Sequence, residues 1–348
     1  TGGHGHVFVG ANVPFGMVQV GPTSIPQSWD WVSGYHDSDS TVVGFSHTHL
    51  SGTGIGDLFD VTVMPVVGEV TYARGEEKDP QSGLWSYADR TKEAVRPGYY
   101  SVPLVRYDIT AEMTATERVG LHRYTFPAAE DAAVVFDLEN GGCWDKATET
   151  HLEQEGDTRI TGWRYSTGWA KDQRVYFVAE FSKPFAKFET VGERYARASF
   201  STNDGEQVLV KVALSPVSVE GAEANLAAEL PGWDFEATVQ AADAKWNAEL
   251  SKVKITTTDQ TARRIFYTAL YHTMVAPSVF CDVNGDYYGS DHAIHRAADF
   301  TNYTTFSLWD TYRAAMPLMT VLHPEKMADI VQTMLHIADE QGRLPVWH

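Results

Sequence analysis

The hydrophobic pattern of this 348-residue chain changes period once, near residue 218, and that change restricts the fold more than any other feature. Before it, short β-branched or alternating runs recur: Phe59–Val67, Tyr99–Tyr107, Ala132–Leu138, Val175–Phe181 and Val208–Leu214. Gly, Pro, Asp and Asn separate them, and helical periodicity between them is scarce. Runs joined by turns rather than by helical crossovers specify an antiparallel β-sandwich, not a parallel α/β sheet. After the change, Glu220–Leu250 is rich in Ala and Glu and reads as helix broken at Pro231-Gly232. Further helical stripes follow: Ile265, Phe266, Ala269, Leu270 and Thr273 within 261–275, then a segment over 305–322 with a kink expected near Pro317. Pro324 marks a helix start, Met327, Ile330, Val331, Met334, Leu335 and Ala338 form its apolar stripe, and Gly342 its stop. The organisation expected is a sandwich over 1–218, a helical linker over 219–258, and the first helices of a second domain over 259–348.

Composition narrows the function. Acidic residues outnumber basic ones 46 to 27, a formal charge of −19, and no Lys/Arg cluster exists to meet a phosphate backbone, which excludes a nucleic-acid partner. No apolar run reaches the ~18–20 residues of a membrane-spanning helix. Cys143 and Cys281 have no metal-type spacing, and a bridge between them is neither required nor excluded by sequence. The first residues, Thr-Gly-Gly-His-Gly-His, hold no start Met and no signal peptide, so the chain reads as processed or trimmed.

Several segments carry possible chemistry. Trp29–Asp60 (WDWVSGYHDSDSTVVGFSHTHLSGTGIGDLFD) concentrates Trp, His, Asp and Gly. His47 and His49, two apart, would share a strand face and with His36 could hold a metal; the other reading has them bonding backbone in a glycine-rich crossing. Ser51–Gly56 resembles a phosphate loop, but strand rather than helix follows it, which favours close backbone packing. Asp282-Val-Asn-Gly-Asp286 has alternating oxygen side chains, yet Tyr287 and Ala293 stand where a calcium loop needs Gly and Glu. A tight hairpin turn at Asn284-Gly285, between Phe280-Cys281 and Tyr287-Tyr288, is the better reading. Asp310 and Arg313 lie three apart beside Trp309, forming either a hydroxyl-binding corner or a surface ion pair next to a buried ring.

Three blocks, GGHGHVFVGANVPFGMVQVGP (2–22), the Trp29–Asp60 run and LWDTYRAAMPLMTVLHPEK (308–326), together resemble glycoside hydrolase family 92, in order along the whole chain. The resemblance implies calcium-dependent, exo-acting, inverting α-mannosidases built from an N-terminal β-sandwich, a helical linker and an (α/α)6-type toroid. They act on terminal α-mannosides, most often α-1,2-linked, in mannans or N-glycans. Inversion pairs one carboxylic acid with one carboxylate roughly 6.5–9.5 Å apart, with water between them. Calcium would bind mannose hydroxyls through hard oxygen ligands.

By the same resemblance, Trp31, Ser33, Gly34 and Tyr35 of the sandwich, with Trp309, Asp310 and Arg313 of the first toroid helices, would bind substrate. His47 and His49 would shape loops, and Trp347 would lie near the site floor. The general acid, the general base and most calcium ligands are expected after His348, so no catalytic residue is assigned here and the rest of the same protein is the expected partner. A toroid takes six helix pairs, whereas the helices at 236–251, 261–275, 305–322 and 325–340 cannot close a ring, so apolar stripes are expected to face solvent. A secreted, periplasmic or cell-surface location is expected from the substrates. Alternatives on the same architecture are a carbohydrate-binding protein and a phosphorylase or lyase.

Overall fold

The computed structural model describes residues 6–26, 29–52, 54–79 and 81–347. Thr1–Gly5 of the opening motif, Thr53 of the glycine loop and His348 lie outside the described residues.

Among the described residues, the β-patterned part forms two large antiparallel sheets packed face to face, with a small pairing of Thr41–Val42 and Ser86–Tyr87 beside them. One has six strands in the order Gly21–Thr23, Gly44–Ser46, Thr62–Val67, Ala129–Asp137, Tyr195–Thr202, Lys187–Val191. The other has eight, ordered Lys146–Glu155, Arg159–Thr167, Gln173–Phe181, Glu206–Ser215, Val119–Phe126, Ile109–Ala115, Tyr99–Leu104, Ala94–Arg96. Period-two side-chain alternation explains why one strand serves two cores. Val208, Val210, Val212 and Leu214 point into the sandwich interior, while Leu209 and Ala213 face the other way, toward helices. All five runs read from sequence contribute a strand to these sheets, although Phe59–Val61 precede their strand and Val105–Tyr107 form a turn after theirs.

Six helices follow: α1 (Val219–Glu229), α2 (Phe235–Leu250), α3 (Gln260–His272), α4 (Leu308–Thr311), α5 (Ala315–Leu322) and α6 (Pro324–Gln341). Ser218 caps α1 at the Gly221 amide (3.0 Å), and Asp234 caps α2 at the Ala237 amide (2.9 Å), so the interruption falls at Pro231-Gly232 as the sequence indicates. Ala222, Leu226, Leu230, Phe235 and Val239 of this linker cover Val119, Leu121, Val178 and Ala213 on the outer face of the eight-stranded sheet. A second core gathers Phe15 and Trp246 with Leu270, Met274, Tyr303, Phe306, Met319, Ile330 and Ile337.

Four expectations need correction. The helix expected over 305–322 is broken at Tyr312–Ala314, not at Pro317; Pro317 sits in the first turn of α5, where its missing amide hydrogen costs no helical bond. On α6 the buried stripe is Ile330, Thr333 and Ile337, whereas Val331 and Leu335 are exposed. On α3 only Leu270 is fully buried, and Ile265 faces outward. The turn at Asn284-Gly285 is present, with the Gly285 amide donating to the Asp282 carbonyl (2.8 Å), but its strands pair elsewhere. Ser278–Val279 pairs with Tyr303–Thr304, and Asp286–Tyr288 with Ile294–Arg296, because the core draws Val279 and Tyr303 together. Both cysteines are free thiols.

Asp282 fastens the helical region to the sandwich. Its carboxylate accepts from Ser215 Oγ (2.8 Å) at the end of the last sandwich strand and from Asn225 Nδ2 (2.7 Å) on α1. Arg118 adds a second clasp, donating to the Cys281 carbonyl (2.7 Å) and to Glu229 at the end of α1 (2.6 Å). Of the oxygen side chains that suggested an ion loop, Asp282 is thus spent on joining domains, while Asn284 bonds Asp286 and Asp286 pairs with Arg296 locally (2.6 Å).

Candidate functional site

A cleft of about 490 Å³ lies where sandwich and helical region meet, within the size range of small-ligand sites. Its floor holds Gln19 and His49, both buried. His49 Nδ1 donates to the Gln19 carbonyl (2.7 Å), and burial pushes the imidazole down to about 3, the carbonyl bond opposing. The ring is therefore neutral and its Nε2 carries a lone pair; that atom has no partner among the described residues. Gln19 uses its amide NH₂ on the Val275 carbonyl (2.8 Å), leaving its Oε1 equally unpartnered. Both atoms are fully buried, and the His49 Nε2 edge lies toward Gly34 of the sandwich loop, so they stand behind the cleft wall.

Tryptophans border this floor. Trp169, 58% exposed, sits on the hairpin loop between Arg159–Thr167 and Gln173–Phe181, and its ring meets Trp347 edge-on at 4.6 Å. Trp347 is set in place by a bridge to Ser307, with the Leu308 amide donating to the Val346 carbonyl (3.1 Å), and it contacts Trp309 at 6.2 Å. At the mouth, Arg174 grips Asp172 with two bonds of 3.0 Å, and Tyr288 donates to the same carboxylate (2.9 Å). Arg174 foremost holds Asp172 below the usual carboxylate range, so it is an ionised acceptor at neutral pH.

The residues expected from sequence divide into two groups. Trp309 is exposed and meets the cleft-lining Trp347 at 6.2 Å, but Trp309, Asp310 and Arg313 are not themselves among the residues that line the cleft. Asp310 accepts from Ser307 Oγ, and Arg313 lies over the Tyr312 ring at 5.2 Å; no ion pair joins Asp310 to Arg313 among the described residues, and Trp309 is not buried, so the ion-pair reading fails. In the sandwich loop, Trp31 stacks on His36 (4.1 Å, 10°) and donates to Asp39 (2.7 Å). Ser33 is buried, and Tyr35 donates to Glu93 (3.2 Å) under the Arg90 guanidinium. Gly34 adopts φ +83°, and a Cβ there would lie 3.2 Å from the His49 ring, so this loop backs the floor through His49. Gln19, Trp169 and Asp172 were not singled out by sequence. Trp169 sits in an ordinary turn, STGWAKD, and only the sheet register brings it to the cleft.

The histidines follow the backbone reading. His47 Nδ1 bonds the Val61 carbonyl (2.6 Å) and its Nε2 meets His122 Nε2 (2.8 Å), while His36 bonds Ser38 Oγ (2.7 Å). The glycine loop is a packing bracket. Gly56 runs so close to Cys143 that a Cβ would stand 2.6 Å from the cysteine's own, and its carbonyl accepts from Trp144 (3.0 Å). Asp57, next to it, accepts from the Ala170 amide (2.9 Å) and so pins the Trp169 loop. Burial raises its carboxyl, the Ala170 and Trp169 amides opposing.

Among the described residues, Asp291, His295 and Glu340 come near enough to share an ion. They do not fit calcium. The set includes an imidazole, Asp291 is bonded to His295 (2.9 Å), and Glu340 is spent on the Tyr287 hydroxyl (2.8 Å) and the Ser290 amide (2.8 Å).

Residues 1–215 match the model of the glycosyl hydrolase family 92 N-terminal domain, and residues 221–348 that of the glycosyl hydrolase family 92 catalytic domain. Among solved structures, a family GH92 α-mannosidase from Bacteroides thetaiotaomicron, studied with mannoimidazole, is 37% identical, with a TM-score of 0.94 over 99% of this chain and 48% of its own. A family GH92 inverting mannosidase from the same organism is 27% identical, with a TM-score of 0.86 over 99% of this chain and 47% of its own. A protein of Arthroderma benhamiae named as an uncharacterized secreted glycosidase is 26% identical over 332 residues, 82% of this chain and 41% of that protein. The chain thus spans about half the length of the solved relatives it matches.

Proposed function

Because the chain belongs to glycosyl hydrolase family 92, we propose that it forms the sandwich and first catalytic-domain helices of an exo-acting α-mannosidase. The reaction is hydrolysis of terminal α-linked mannose, α-1,2-linked foremost, with inversion and calcium assistance. The observation that carries this reading is the tryptophan-bordered cleft between sandwich and helices, in a chain whose relatives are named mannosidases.

Each residue has a stated part. Trp309 packs on the apolar face of the terminal sugar. Asp310, on exchanging its Ser307 bond, accepts sugar hydroxyls, and Arg313 donates to them. The loop Trp31–Tyr35 holds His49 in place. No carboxylate of this chain takes the acid or base role: burial raises Asp145 and Asp282 to about 6, but each is locked in a structural network, Asp145 on Arg164 (2.6 Å) and Asp282 on Ser215 and Asn225. No cage among the described residues fits calcium, so its ligands, in this reading, come from the rest of the same protein. No helix among those residues is long and apolar enough to cross a membrane, and action on external glycans places the protein outside the cytoplasm.

The test uses the protein expressed from its complete reading frame. Incubated with α-1,2-mannobiose and followed by proton NMR, it releases β-mannose first and stops when a calcium chelator is added. No mannose release overturns the hydrolase reading and leaves a binding protein or a phosphorylase; α-mannose first overturns inversion; chelator-insensitive turnover overturns calcium assistance.

A further inference from the structure

The strands Asp286–Tyr288 and Ile294–Arg296 form a hairpin whose connecting loop is tied to the last turn of α6 through Ser290 and Glu340. Three residues able to ligate a metal meet there: Asp291 in the loop, His295 in the returning strand and Glu340 near the end of α6. His295 Nε2 stands 2.9 Å from Asp291 Oδ1 and 3.9 Å from Glu340 Oε1, and the three ligand atoms lie within 4.8 Å of one another. Zinc bonds of about 2.0–2.2 Å at tetrahedral angles separate neighbouring ligands by roughly 3.3–3.5 Å. The observed spacings bracket that value, so small side-chain adjustments complete the cage.

Two independent observations argue for an ion. The Glu340 side chain is only 6% exposed, yet the one basic group paired with it among the described residues is His295. Burying a carboxylate is costly without a compensating cation. The Tyr287 hydroxyl and the Ser290 amide donate to different oxygens of Glu340 (2.8 Å each). A lone pair therefore remains on each oxygen, and the two donors aim them as a metal's outer shell does. The second observation is Gly289. Its backbone lies outside the left-handed region, so conformation does not call for glycine. Space does: a Cβ there would stand 2.5 Å from His295 Cδ2, 2.8 Å from Asp291 Oδ1 and 3.0 Å from the Glu340 carboxyl carbon. All three side chains converge on the position that this glycine keeps open.

An imidazole with two carboxylates offers too few oxygens for calcium, but it suits zinc with water in the fourth position. We propose that Asp291, His295 and Glu340 bind a zinc ion. On binding, His295 Nε2 releases to solvent the proton it shares with Asp291, and its lone pair takes the metal. The ion ties the hairpin loop to α6. Because Tyr288, Gly289, Ser290 and His292 of that hairpin line the cleft, zinc stiffens one cleft wall. The inference stands apart from the mannosidase reading, and its test needs no turnover.

The complete protein is stripped of metal with a chelator, returned to chelator-free buffer with excess calcium, and titrated with zinc chloride by isothermal calorimetry. A saturable zinc site appears, binding releases protons, and the melting temperature rises. His295→Gln and Glu340→Gln each weaken that site by about a hundredfold, and Gly289→Ala, which fills the space, weakens it too. His292→Gln, which keeps all three ligands, leaves the affinity unchanged. Where His295→Gln does not fold, as judged by the zinc-free melting temperature, the exposed Asp291→Asn takes its place. The absence of a saturable zinc site in the parent overturns the proposal, and so does parent-like affinity in the folded ligand variant.

Discussion

Between the two sheets, Phe136 stacks on Phe177 with ring centres 5.9 Å apart, and strand after strand contributes fully buried Val, Ala and Phe. On α5 and α6, by contrast, Val321 is 76% exposed, and Leu318, Val331 and Leu335 also face outward. The sandwich closes its core with its own two layers and is covered on one outer face by the linker. The helical region has one buried side, applied to Phe15 and Trp246, and one open apolar side. The difference shows where the packing that stabilises the chain resides. The sandwich is a finished scaffold that holds loops rigidly at the cleft, while the helices supply the opposite rim and keep an apolar face free for further packing.

The largest effect expected from this contrast is at Arg164, inside the sandwich. It is fully buried, bonded to Asp60 (2.7 Å), Asp145 (2.6 Å) and the Leu138 carbonyl (2.9 Å). Arg164→Ala leaves two buried carboxylates without their cation and costs about 3–5 kcal/mol in urea unfolding. A loss below about 1 kcal/mol would place the sandwich's stability elsewhere.

Acid is expected to loosen the sandwich next. Burial pushes His47 down to about 4, His49 to about 3, and His122 well below its ordinary value. Unfolded histidines take up protons near pH 6.5 while these remain neutral, so the stability they contribute is present above 6.5 and is lost as pH falls toward 4. At pH 5 the loss is about 2 kcal/mol per histidine (1.36 per pH unit over 1.5 units). Asp145 and Asp282, raised to about 6, bind protons earlier in the folded state and partly offset it. The net is roughly 3 kcal/mol less stability at pH 5 than at pH 7. Equal urea midpoints at the two pH values would contradict it.

The smallest effect is on the open helical face. Val321→Ser changes the chain's stability by less than about 0.5 kcal/mol. A cost of 2 kcal/mol or more would mean that this side is covered in solution.

How far the sequence could be read follows from the same contrast. Period-two patterning marks a strand whatever it packs against, so the sandwich runs, the break at Pro231-Gly232 and the Pro324 and Gly342 helix ends were all legible. The buried stripe of α6 was not, because Val331 and Leu335 have the right periodicity and lack only a neighbour. Hydrophobic period locates a face without saying what covers it. At the site, Trp309, Asp310 and Arg313 stood out through local spacing, although their pairing did not survive. Trp169 and Gln19 depend on contacts between distant segments, Gln19 reaching Val275 across the domain boundary, and no local pattern announces such a contact. The His47–His49 spacing was genuinely ambiguous, since strand geometry puts both on one side and only the nearby Val61 and Gln19 carbonyls decide their role.

The account's central claim is that the cleft between the two regions receives a terminal mannose at the Trp309–Arg313 corner. Its most direct measurement is kcat/KM of Asp310→Ala on α-1,2-mannobiose in the complete protein, with the melting temperature as control. Asp310 is exposed and bonded to Ser307, so the fold should be unaffected. The account predicts a fall of about 10²–10³-fold with an unchanged melting temperature. An unchanged kcat/KM in the folded variant would contradict it.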